Sequence, residues 1–154
     1  MILLVHMLFG AGIGSKIENV ILAIVLAFLS HYFLDVFPHI EYDIEIRNKK
    51  QWQDKLRSIL KISLDFSLGI FLILTFSNLS ASSGRPIIYI CAFFAILPDG
   101  FTVLNNHFPN KIFKLHAKLH TEKLHFLKQI KISKFWRFLS QIIVVVISAI
   151  LLVF

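Results

Sequence analysis

The chain has 154 residues, of which 56% are hydrophobic and only 16% are charged. Soluble domains contain about 45–50% apolar and about 25% charged residues, so this composition indicates the bilayer rather than a large soluble core. The single cysteine, Cys91, excludes an intramolecular disulfide. The net charge of +7 arises from basic residues beside apolar blocks. That placement favours lipid headgroups and membrane topology over nucleic acid as the reason for the charge.

Five apolar segments follow one another along the chain, at residues 2–14, 17–37, 56–76, 86–104 and 135–154. The first is shorter than the roughly 17–25 residues that an ordinary span needs. Pro38 is expected to end the second, and Pro98 with Gly100 predicts a break or kink in the fourth. The fold class predicted is all-α, a single membrane-embedded domain over residues 1–154 with four to five hydrophobic helices.

Two long connections carry most of the positive charge. Residues 38–61 and 105–138 hold 14 of the 16 Lys and Arg residues. The positive-inside rule therefore predicts that both long loops are cytoplasmic, in a plasma or inner membrane. Within residues 105–134, lysines alternate with apolar residues, which predicts a basic helix lying on the membrane surface.

Ionisable residues inside the apolar segments fall at a similar predicted depth. Asp65 lies about nine residues into the third segment, or roughly 13 Å at the helical rise per residue. The same level is expected for the others, which are His6, His31, Asp35 and Asp99. A charge at mid-helix in lipid costs about 2.5–3.5 kcal/mol, so such a group needs compensation. A divalent cation would supply it, and mixed nitrogen and oxygen ligands suit zinc, with manganese or iron as alternatives.

The pair His31 and Asp35 is the strongest part of this pattern, because residues four apart share one helix face. Each other residue has a simpler interpretation. Asp65 can pair with Lys61, Asp99 in "LPDG" can be a turn residue, and His6 can be a core histidine. His39, beyond Pro38, can lie in an outer shell around a metal or at the interface.

The basic stretch repeats the four-residue spacing in His116 and His120. Together with Lys114 and Lys118 they are candidates for holding an anionic headgroup. The alternative is a surface helix whose histidines lie at the interface without binding anything.

Three short motifs resemble those of the YdjM-like membrane-bound metal-dependent hydrolases. They are "HMLFG", "HYFLD" and "LPD". The pattern is more distantly similar to the all-helical zinc-dependent phospholipase C group. The resemblance covers about residues 1–107 and implies that the metal ligands are His6, His31, Asp35 and Asp99.

The sequence thus favours a membrane-bound hydrolase that cleaves a phosphoester of a lipid or lipid-linked substrate at the cytoplasmic face. Asp65 would be a ligand or a general base. Two other classes stay open: a non-enzymatic protein with a structural metal or ion-pair site, and a small component of ion or proton transport. The sparse polar residues toward the 77–85 side count against transport.

Overall fold

The structure, a computed structural model, describes residues 1–40, 52–79, 84–108, 110–118 and 133–154. The regular structure in these ranges is entirely helical, which confirms the all-α prediction. The described helices are α1 (Leu3–Lys16), α2 (Val20–Val36), α3 (Trp52–Asn78), α4 (Pro86–His107), α5 (Lys111–Lys118) and α6 (Lys134–Val153). The two ends of the 105–134 stretch are described, whereas its middle, residues 119–132, lies outside these ranges.

The helix boundaries follow local sequence signals. The Asn19 side chain caps α2 by accepting a hydrogen bond from the Leu22 N–H at 3.0 Å. That helix ends at Val36, because Phe37 is extended before Pro38 as predicted. Helix α4 continues through Pro98 to His107, so of the predicted break or kink the break does not form, and the kink stays a prediction. A proline is tolerated inside a membrane helix where neighbouring helices, Ser or Thr side chains or local adjustments satisfy the backbone groups that it frees.

Among the described helices, three are long and apolar enough to cross a membrane: α3, α4 and α6. Helices α1 and α2 are apolar but shorter, with 14 and 17 residues. Much of the outer surface is apolar, including Ile21 at 76% and Phe71 at 62% exposure. A soluble monomer rarely exposes so much apolar surface, so the structure is consistent with an integral membrane protein.

Helix α1 lies at the centre of the bundle and packs against α2, α3, α4 and α6. Gly10 and Gly14 allow it to approach α4 closely. A Cβ at Gly10 would lie 2.5 Å from the Ala95 Cβ, and one at Gly14 would lie 2.8 Å from the Ile87 carbonyl oxygen. Small residues four apart are a common way to bring membrane helices together. The close contact places the start of α1 beside the second half of α4.

Helix α6 is joined to both ends of the α1–α2 pair. The Ser15 hydroxyl donates to the Leu151 carbonyl oxygen at 2.8 Å. At the other end of α6, Gln141 donates to the Ile40 carbonyl oxygen at 2.8 Å, and Ser140 donates to that of Pro38. The segment after α2 is therefore held to the bundle, close to the polar residues at the end of α2.

Candidate metal centre

Three helices bring their buried polar side chains to one place. His6 lies near the start of α1, His31 and Asp35 lie in the last turns of α2, and Asp99 lies in the second half of α4. His6 and His31 are fully buried, Asp35 is 2% exposed, and the Asp99 side chain is 13% exposed. The structure thus brings together the four residues that the sequence assigned as metal ligands. We call these four residues the polar cluster.

Asp35 lies at the centre of the polar cluster. Its Oδ2 is 3.1 Å from His31 Nε2, and its Oδ1 is 3.3 Å from His6 Nε2. The Met1 nitrogen lies 2.6 Å from the same Oδ1. His39 Nε2 lies 3.7 Å from it, which places His39 at the edge of the cluster. The Met1 ammonium therefore pairs directly with the buried carboxylate, which offsets part of the cost of burying its charge.

His31 is oriented by the backbone of α4. Its Nδ1 lies 2.8 Å from the Ala95 carbonyl oxygen, which can only accept a hydrogen bond. The proton of a neutral His31 therefore sits on Nδ1, and Nε2 directs a lone pair toward Asp35 and Asp99. Two carboxylates do not face a lone pair without a proton or a cation between them. A backbone carbonyl that holds the far nitrogen is also the usual arrangement behind a metal-bound histidine.

His6 is the least satisfied member of the polar cluster. Its ring stacks on that of His31, with centroids 4.1 Å apart and planes inclined by 23°. Among the described residues, neither of its ring nitrogens has a hydrogen-bond partner of good geometry, although both are buried. A buried polar atom without a hydrogen bond is costly and needs an explanation. A bound cation would provide one.

The donor set fits a divalent metal. His6, His31 and Asp99 each offer one ligand atom, and these atoms lie within 4.8 Å of one another. Zinc bonds to histidine and carboxylate of about 2.0–2.2 Å place two tetrahedral ligand atoms roughly 3.3–3.6 Å apart. The 3.6 Å between His31 Nε2 and Asp99 Oδ1 agrees with that separation. These three residues can therefore hold a metal ion, with Asp35 in contact with both histidines.

Asp65, the predicted ligand or base, lies beside the start of α1. Its Oδ2 accepts a hydrogen bond from the Leu4 N–H at 3.0 Å. The first N–H groups of a helix have no partner within the helix, so this carboxylate satisfies one of them. His6 is two residues further along α1. The contact thus helps to hold the helix that carries His6, and the catalytic role of Asp65 stays a prediction.

Helix α5 lies next to the polar cluster, on the side of α2 and α4. The Tyr32 hydroxyl and His116 Nε2 are 3.0 Å apart, and the Phe101 and Phe113 rings stack with centroids 5.8 Å apart. Lys114 and Lys118 are exposed. The fourth predicted headgroup residue, His120, lies outside the described residues.

Sequence reasoning missed two parts of this site, Tyr32 and the Ala95 carbonyl. The Tyr32 ring packs edge-on against that of His31, with centroids 5.7 Å apart. Its position directly after His31 was a signal, but the contact with α5 joins residues 84 positions apart. A backbone carbonyl leaves no trace in the residue types. Comparison of the chain with family models, curated proteins and solved structures found no significant match.

Proposed function

We propose that this protein is an integral membrane hydrolase whose metal centre uses His6, His31, Asp35 and Asp99. Its substrate would be a phosphoester of a lipid or a lipid-linked compound. One observation carries the proposal: three ligand atoms from three helices lie within 4.8 Å of one another inside an apolar bundle. Ionisable groups inside a membrane protein are expensive and usually mark a functional site.

A bound zinc, manganese or iron ion would supply a Lewis acid and an activated water for hydrolysis. The protein residues would orient the ligands, admit the substrate and supply a base. His31 is held with its Nε2 toward the centre by the Ala95 carbonyl. Asp99, partly exposed, marks the side from which a substrate would enter. Asp65 is proposed as a further ligand or as the base, because it contacts the Leu4 N–H at the start of α1, the end that carries His6.

The motifs support the same class of activity. "HMLFG" contains His6, "HYFLD" contains His31 and Asp35, and "LPD" contains Asp99. Residues from three motifs that are distant in sequence lie together in the fold, as a shared ligand set requires. This agreement supports the proposed relation to the YdjM-like metal-dependent hydrolases.

Charge supports a cytoplasmic position for the site. The end of α2, the start of α3, the end of α4 and the start of α6 lie at the end of the bundle that holds the polar cluster. Lys55, Arg57, Lys61, Lys111, Lys114, Lys118, Lys134 and Arg137 lie on these parts of the chain. The positive-inside rule assigns that end to the cytoplasm. We further propose that four to five helices lie in the bilayer and that α5 lies at the interface.

Substrate binding is proposed for the exposed side of α5. Lys114 and Lys118 would attract an anionic headgroup, with His116 beside them and His120 as the fourth residue. The Tyr32–His116 contact supports this assignment because it connects α5 to the residue next to His31. A headgroup held on α5 would therefore lie close to the metal ligands.

A structural metal site is the second candidate function. The complete burial of His6 and His31 favours it, because structural sites are closed whereas catalytic sites keep an open position. Under this alternative the metal would hold α1, α2 and α4 together without catalysing a reaction.

Metal analysis of the purified protein tests the metal centre. We expect about one divalent ion per chain in the wild type. Affinity should fall by at least about 100-fold in His31→Gln, because loss of even an outer-shell partner costs about 10–100-fold. Asp54→Asn is the control, since that side chain is 47% exposed and pairs with Arg57 of the same helix. Negligible metal in the wild type would contradict the proposal.

Hydrolysis is tested with the metal-loaded protein in vesicles against a panel of phosphoester lipids. We expect activity that a chelator abolishes, that added metal restores and that His31→Gln lacks. Stoichiometric metal without hydrolysis of any phosphoester would favour the structural alternative.

A further inference from the structure

A short segment follows α2 and lies against α6. Phe37 has φ −75° and ψ 148°, so the chain leaves the helix in an extended conformation. Pro38, His39 and Ile40 follow it, and we call residues 37–40 the exit segment. His39 is the only ionisable side chain among these four residues, and it is not in the ligand set proposed above.

Helix α6 holds the exit segment on both sides of His39. The Ser140 hydroxyl donates a hydrogen bond to the Pro38 carbonyl oxygen. The Gln141 amide nitrogen donates a hydrogen bond to the Ile40 carbonyl oxygen at 2.8 Å. The residues directly before and after His39 are therefore both bonded to consecutive residues of one helix.

Gln141 is a polar residue in an otherwise apolar part of α6. Its side chain lies in a helix that is apolar enough to cross a membrane, and the residue is only 6% exposed. A buried amide is costly unless it is hydrogen-bonded. The bond to the Ile40 carbonyl offsets that cost, and because a carbonyl oxygen only accepts, the amide nitrogen must face it. The exit segment therefore accounts for the buried side chain of Gln141.

The exit segment in turn orients the His39 ring. Its Nδ1 lies 2.6 Å from the Phe37 carbonyl oxygen, which can only accept a hydrogen bond. Nδ1 therefore carries a proton, and Nε2 is the nitrogen that faces the polar cluster. It lies 3.7 Å from Asp35 Oδ1, and the His39 side chain is 3% exposed. His31 has the same arrangement, with a backbone carbonyl at Nδ1 and a carboxylate facing Nε2.

We propose that His39 is a positioning residue of the metal centre, which acts through Asp35, and that Ser140 and Gln141 fix its place. The inference rests on the proposed function, in which Asp35 is one of the ligands. A ligating carboxylate is usually held by an outer partner, and loss of such a partner lowers metal affinity about 10–100-fold. His39 Nε2 is within ion-pair distance of Asp35 but too far for a direct hydrogen bond. A small displacement of the exit segment would therefore separate the two side chains.

Helix α6 thus influences the metal centre without contributing a ligand to it. Not every polar side chain of the helix has this role. Ser148 is fully buried, but its hydroxyl donates to the Val144 carbonyl oxygen at 2.7 Å, within α6 itself. Substitutions at Ser140 and Gln141 should therefore change the metal centre, whereas a substitution at Ser148 should not.

Zinc affinity of the purified full chain, measured by competition with a chromophoric chelator, tests the contact. His39→Gln should lower the affinity at least about tenfold, as expected for loss of an outer partner. Gln141→Leu should lower it at least about fivefold, because the freed exit segment no longer holds His39 against Asp35. Ser148→Ala is the control and should stay within about twofold of the wild type. Ser140→Ala releases the other bond and serves if Gln141→Leu fails to fold.

The double variant separates a positioning role from a general loss of stability. If Gln141 acts through His39, then adding Gln141→Leu to His39→Gln should change the zinc affinity by less than about twofold. Independent losses that multiply would overturn the inference, and so would a wild-type affinity in Gln141→Leu. A wild type that binds no zinc would instead overturn the proposed function.

Thiol labelling tests the hold of α6 on the exit segment without any metal. Cys91, the single cysteine of the chain, is fully buried, so a charged water-soluble reagent reports on position 39 in a His39→Cys variant. Labelling should be slow, and at least about tenfold faster once Gln141→Leu is added, because the segment then opens more readily. Adding Ser148→Ala should leave the rate unchanged. Equal rates with and without Gln141→Leu would overturn the inference whether or not the protein binds metal.

Discussion

The polar cluster and helix α5 both combine histidine with charged residues, but they lie in opposite environments. In the cluster, His6 of α1 and His31 and Asp35 of α2 are at most 2% exposed and contact one another. On α5, Lys114 and Lys118 are exposed, and His116 contacts the Tyr32 hydroxyl of α2. Histidine and charged residues are therefore buried against one another in the polar cluster, whereas the charged residues of α5 are exposed.

The difference follows from the cost of burying charge. An uncompensated charge in the bilayer costs about 2.5–3.5 kcal/mol, so every member of the polar cluster depends on its partners. A lysine at the membrane surface keeps its hydration and contributes about 1 kcal/mol of attraction to anionic lipid. Substitutions in the cluster should therefore act on stability and metal binding, and those on α5 on lipid preference alone.

The largest effect is expected for Asp35→Ala. Removing this carboxylate leaves the buried Met1 ammonium without its counter-ion and removes the acidic group that His6 contacts. Breaking a buried ion pair by removing one partner costs about 3–5 kcal/mol. The measurement is the free energy of unfolding in detergent micelles.

Asp54→Ala is the control for this prediction. Asp54 has 47% of its side chain exposed and lies 3.9 Å from Arg57, so its loss should cost about 0–1 kcal/mol. If the two alanine variants unfold with the same free energy, the cluster does not compensate charge as described.

The next effect is a contrast between two histidines. His6→Gln should weaken zinc binding by at least about 100-fold, since it removes a ligand rather than an outer-shell partner. His116→Gln, on α5, should leave the affinity within about threefold, because His116 contacts Tyr32, which is the neighbour of His31 and not one of the four proposed ligands. Isothermal titration with zinc measures both. Equal losses would place His116 among the ligands and remove the distinction between the two regions.

The smallest effect is expected on α5 itself. Replacing Lys114 and Lys118 by Gln removes about 2 kcal/mol of attraction to anionic lipid, which is at most about 30-fold in affinity. The preference for phosphatidylglycerol over phosphatidylcholine measures this loss, which should shrink at high salt.

Lys16→Gln is the matched control, because Lys16 is also exposed but lies at the opposite end of α1. A similar loss of lipid preference in this variant would mean that α5 is not the headgroup surface. Metal content should stay constant in both variants.

Much of the fold was predictable because hydrophobic blocks are long and local signals mark their ends. The five apolar segments correspond to α1, α2, α3, α4 and α6, and Pro38 follows the end of α2 as expected. At Pro98 the alternative of a break was wrong, because neighbouring helices and local adjustments allow a membrane helix to continue through a proline. Within the part of the chain that the structure describes, three helices meet the length and composition of a span, and α1 and α2 are shorter.

The site was predictable in its membership but not in its contacts. Ionisable residues in apolar segments are few, so His6, His31, Asp35 and Asp99 could be selected from the sequence. Their distances depend on how closely α1 approaches α4, which Gly10 permits. For Asp65 the predicted depth did not determine the contact. It was expected at the same depth as the other four residues, but its carboxylate accepts a hydrogen bond from the Leu4 N–H.

The sequence by itself determined that this protein is helical and apolar, with a few costly polar groups and a strongly basic set of connections. These properties depend on composition and spacing, which are local. Only the tertiary structure decided which polar groups meet, that the His6 and His31 rings stack, and that Asp35 contacts both of them. Such contacts join residues far apart in the chain, and their geometry is set by the packing of whole helices.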